Sequence, residues 1–81
     1  MKDDSARYVK FVTWSDDDQV YIGSCPGLFY AGCHGDNERE VFDELCVIVD
    51  EWIENIKADG KELPAETASI DFSSFVQQSV A

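Results

Sequence analysis

Between Asn37 and Asp59 the apolar residues recur with the period of an α-helix, and that repeat leaves few folds open. On a wheel of about 100° per residue, Val41, Phe42, Leu45, Cys46, Ile48, Val49, Trp52, Ile53 and Ile56 share one arc of roughly 160°. Within that run, only Val47 falls outside it. The opposite arc carries Glu40, Asp43, Glu44, Asp50, Glu51 and Glu54. A helix of this kind needs a broad apolar surface to lie on and keeps a negative back in water. Its ends are set locally as well. Gly35-Asp36 breaks the preceding run, and Asn37 with Glu40 has the spacing of a capping box. Lys57 suits the carbonyl end, Gly60 is placed as the left-handed terminal residue, and Pro64 forbids continuation.

The surface for that helix comes from the residues before it. Arg7 to Trp14 alternates, with Val9, Phe11 and Thr13 on one side and Tyr8, Lys10, Val12 and Trp14 on the other. Such alternation predicts a strand. Ser15 to Gln19 is a polar turn, Val20 to Cys25 a second strand, and Leu28 to His34 a third beyond the Pro26-Gly27 interruption. The expected fold is therefore α+β: a three-stranded antiparallel sheet with one long helix on one face, and a short fourth strand at Ala68 to Phe72. The sheet face away from the helix is then left over. Tyr8, Trp14 and Tyr21 are the candidates for it, and burying them together with Phe72 and Phe75 predicts a homo-oligomer, dimer or tetramer.

Eighty-one residues are enough for one domain, residues 1–81, with its core at about 7–72 and a tail at 73–81. A hydrophobic content of 44% argues for a packed domain rather than a disordered chain. The net charge of −11 disfavours nucleic-acid phosphates and anionic lipid and favours a basic partner. No apolar run reaches the length of a membrane span or a signal-peptide core, so the expected location is cytoplasmic. Cys25, Cys33 and Cys46 are odd in number and sit among apolar residues. They read as free thiols, with a Cys25–Cys33 bridge as the alternative.

The same residues offer little to catalysis. Cys33 and His34 are adjacent on a strand and so point to opposite faces, which does not suit a zinc site. Asp16, Asp17 and Asp18 lack the glycine and closing glutamate of a calcium loop. The carboxylates of the helix splay along a solvated face without converging. The expectation is a protein without catalytic residues, metal or cofactor.

The run Cys25-Pro26-Gly27-Leu28, then Gly32-Cys33-His34-Gly35-Asp36-Asn37 and Glu38 to Glu40, resembles the HicB-like antitoxin family, in which a strand leads through such a segment into one long helix. The resemblance covers most of residues 7–64, with Asn37 where the family has a capping threonine. It implies a partial ribonuclease-H-like β-β-β-α-β arrangement, oligomers of such units, and the masking of a small basic RNA-cleaving toxin of HicA type. Glu40, Asp43, Glu44 and Glu51 are the candidate contacts for that toxin. The chain departs from the family in having no basic C-terminal segment, so direct operator binding is not expected. It also departs in the length of the Phe29-Tyr30-Ala31 run before Gly32, which leaves the strand register open. The alternative function is a homo-oligomeric small-ligand-binding or regulatory domain.

Overall fold

The long helix, α1, spans Glu38–Ala58, one residue inside each expected end. The computed structural model describes residues 4–68. Asn37 caps the helix, its side-chain oxygen accepting from the Glu40 amide at 3.0 Å. Among the described residues the reciprocal half of the capping box is not made, so the Glu40 carboxylate stays in solvent. At the other end Gly60 takes a φ of 75°. The Gly60 amide donates to the Lys57 carbonyl and the Lys61 amide to that of Ile56. This paired pattern closes a helix where a side chain would be strained.

Three antiparallel strands, β1 (Phe11–Ser15), β2 (Val20–Cys25) and β3 (Phe29–Gly35), lie in the order β1-β2-β3 beneath α1. The α+β class and its three-strands-then-helix order follow the expectation. Residues 69–72 of the expected fourth strand lie outside the described residues, as do Phe72, Phe75 and the tail.

Packing is organised by one row of the helix. Val41, Leu45, Val49 and Ile53, spaced four apart, are its buried residues, and they form the core with Tyr8, Cys25 and Cys33. The row sits over Gly23: a Cβ there would stand 3.3 Å from Val41 Cγ1, 3.4 Å from Leu45 Cβ and 2.9 Å from Cys33 Sγ. That close approach decides which face of the sheet is covered. Side chains alternate along a strand, so Tyr21 and Cys25 share the helix side with Gly23, and the pairs Trp14↔Tyr21 and Val12↔Gly23 bring Trp14 and Val12 there too.

Two expectations are corrected here. Trp14 and Tyr21 do not belong to the uncovered face; they pack edge to face on the helix side, centroids 5.0 Å apart. Arg7 to Lys10 is not strand. Asp4–Arg7 forms a turn of 3₁₀ helix, with Asp4 paired to Lys57 at the end of α1. Lys10 Nζ then donates to the Ser5 and Tyr8 carbonyls at 2.7 and 3.1 Å. The backbone of residues 7–9 turns instead to the segment after the helix. The Thr67 and Ala68 amides both donate to the Arg7 carbonyl at 2.9 Å, and the Val9 amide donates to Thr67 Oγ1 at 2.7 Å. Tyr8, only 3% exposed, donates its hydroxyl to the Pro64 carbonyl at 2.5 Å.

The register slips where the Phe29 to Ala31 run is long. Gly23 pairs with Cys33 but Cys25 with Phe29, so Tyr30, Ala31 and Gly32 together oppose Ser24. This is a bulge. Ala31 adopts a φ of 54°, and its amide is held by the buried Ser24 Oγ at 2.8 Å.

Candidate functional site

The outward face of α1 is the most strongly charged surface. Glu40, Asp43, Glu44, Asp50, Glu51 and Glu54 are all exposed. Among the described residues the ion pair is Lys57 with Asp4, and none of these six is within ion-pair distance of a described cation. Several stand one turn apart, as Glu40 does from Asp43 and Glu44, and Glu54 from Asp50 and Glu51. Like charges at that spacing repel and cost the helix a few tenths of a kcal/mol each. Val47, 56% exposed, sits in the middle, with Asp43, Glu44, Asp50 and Glu51 three or four residues away on either side. The four residues singled out from the sequence, Glu40, Asp43, Glu44 and Glu51, therefore share one surface around an apolar knob.

The residues expected to build an oligomer contact are not brought together in that way. Tyr8 is buried inside its own chain. Burial, and then the charge of Asp4, push its phenol up from the ordinary range. Trp14 is 47% exposed, its Nε1 donating to Asp16 Oδ1 at 2.8 Å, and Tyr21 lies half-buried beneath it.

The face that α1 does not cover carries Phe11, Thr13, Val20, Ile22 and His34 instead. The pairs Thr13↔Ile22 and Ile22↔His34 set these three in a row across the sheet. A cavity of about 410 Å³ opens there, lined by Asp18, Val20, Ile22, Ala31, Cys33 and His34. None of these residues was selected as a binding residue from sequence. The signal that finds them is the parity of Gly23: once it faces the helix, Val20 and Ile22 must face away.

The three cysteines and the histidine all lie among the described residues. Cys25, Cys33 and Cys46 are free, the first two buried. Burial pushes the thiols of Cys25 and Cys33 up, away from the reactive thiolate, and the nearby Glu44 adds to this at Cys33. Cys33 packs toward the helix, with Sγ 3.6 Å from the Val41 carbonyl oxygen, while His34 is exposed on the opposite face. Among the described residues no group of three His, Cys, Asp or Glu side chains converges as metal ligands. No described helix is long and apolar enough to cross a membrane. Compared with protein-family models, with curated proteins and with solved structures, the chain finds no match.

Proposed function

We propose that this chain is a HicB-like, non-enzymatic protein-binding domain of the cytoplasm, an antitoxin or a solitary relative of one, which holds a small basic RNA-cleaving protein against the outer face of α1. The observation that carries this reading is the exposed carboxylate surface around Val47. An apolar centre ringed by carboxylates suits a partner with an apolar contact set among lysines and arginines. The strand-strand-strand-helix order and the capped helix start are compatible with the HicB-like resemblance.

The test is a combined Glu40→Lys, Asp43→Lys, Glu44→Lys and Glu51→Lys variant, assayed for binding to a co-encoded small basic protein. Affinity at low ionic strength should fall on the order of 100-fold, and salt should weaken the unmodified complex in the same direction. The reversal leaves positions 40, 43 and 44 alike in charge, so binding is compared only where the circular-dichroism spectrum and melting temperature of the variant match those of the unmodified chain. Binding indifferent to both salt and reversal would remove the reading.

A second reading is favoured by the uncovered Phe11, Val20 and Ile22: a homo-oligomer that closes this sheet face and serves as a ligand-binding or regulatory unit. Light scattering at micromolar concentration should then give a dimer or tetramer mass that Ile22→Lys reduces to one chain. A monomer mass before substitution ends it.

A further inference from the structure

The cavity on the uncovered sheet face has a composition that neither a metal ion nor a purely apolar ligand fits. Its floor is Val20 and Ile22, same-face neighbours about 7 Å apart by strand rise. His34 stands beside Ile22 as its cross-strand partner. At the turn end is Asp18, which is exposed and whose Oδ2, among the described residues, accepts a long 3.4 Å bond from Ser15 Oγ. One carboxylate gives too few ligands for a cation without a shell of its own. An apolar floor, a flat imidazole and one carboxylate at the end match a side chain that is aliphatic along its stem and planar and cationic at its head.

We infer that this cavity is a subsite for an arginine side chain of a basic protein partner. The stem lies over Val20 and Ile22, the guanidinium donates to the Asp18 carboxylate, and the His34 ring stands against the guanidinium plane. Arginine fits better than lysine because its head is planar, weakly hydrated and able to pair in two-pronged fashion with a carboxylate while stacking on a ring. The charge balance of the chain points the same way: 17 acidic against 6 basic residues, with Asp16 and Asp17 directly before Asp18. The inference rests on the proposal that the partner is basic, and it adds a second contact surface on the side of the sheet opposite α1.

The experiment is a titration of the isotope-labelled full chain with a short arginine peptide, and separately with a lysine peptide of equal length, followed by amide chemical shifts. The expected result is saturable shifts at Asp18, Val20, Ile22, Ala31 and His34 with the arginine peptide. The lysine peptide should need about tenfold higher concentration, and Asp18→Asn should weaken the arginine response about tenfold. Equal response to both peptides, or shifts at this cavity that Asp18→Asn leaves unchanged, overturns the arginine subsite. Shifts confined to Glu40, Asp43, Glu44 and Glu51 overturn it too while leaving the basic-partner reading standing. No saturable shift with either peptide removes both.

Discussion

Leu45→Ala should cost about 3–4 kcal/mol of folding stability and lower the melting temperature by roughly 15–25 °C. Leu45 has no exposed surface. It lies within the buried row on α1, over Gly23, where a Cβ would stand 3.4 Å from Leu45 Cβ. Truncation there leaves a void that neither layer can readily fill, because Val41, Val49 and Ile53 of the same row hold α1 at its distance from the sheet. A domain of this length is ordinarily stable by only about 4–12 kcal/mol, so the substitution removes a large share of the total. Val47→Ala is the control on the same helix. Val47 is mainly in solvent and alanine is the better helix former, so its stability should hold or rise slightly. Urea unfolding of both variants decides the matter. A Leu45→Ala loss below about 1 kcal/mol would mean that α1 is not anchored through this row.

Gly23→Ala should cost about 1–3 kcal/mol, although alanine is the gentlest substitution available. The added methyl would stand 2.9 Å from Cys33 Sγ and 3.3 Å from Val41 Cγ1. The cysteine is part of the directly paired β3 residue and cannot swing away without leaving the core. If this contact is the origin of the cost, Cys33→Ala must relieve it. Combining Gly23→Ala with Cys33→Ala should recover about 1 kcal/mol relative to the sum of the two single changes. Strict additivity would place the obstruction at Val41 and Leu45 alone and so show that the helix, not the neighbouring strand, sets the limit at Gly23.

These two positions also explain what could be read from the sequence. The helix is legible because its period, its Asn37 start and its Gly60 stop are local facts that tertiary structure had no reason to override. The second strand is legible for similar reasons. Which face of the sheet meets the helix is not, because both are apolar enough: Val12, Trp14, Tyr21 and Cys25 on one, Phe11, Val20 and Ile22 on the other. The bulk of the aromatic residues suggested the wrong assignment. Small residues decide it, since the buried row of α1 approaches the sheet closely at Gly23 of β2 and again at Gly35 of β3, where a Cβ would stand 3.1 Å from Val41 Cγ2. The start of β1 is hidden for a different reason. Arg7 to Lys10 has a strand's alternation but spends its hydrogen bonds on Thr67 and Ala68, almost the length of the described chain away.

The acidic surface, by contrast, is visible directly in the helix periodicity, because residues opposite a buried arc have nowhere to go but solvent. The cavity beside Ile22 could be found only after the sheet's orientation was known. Its Asp18 comes from a turn and its Ala31 from the bulge, neither of which follows from strand alternation.

The bonds from Thr67 and Ala68 to Arg7 mean that the described fold is entered and left at a single corner. Such a domain is topologically a closed loop. Held shut in this way, the described residues present the outer face of α1 from a frame whose first and last segments brace one another.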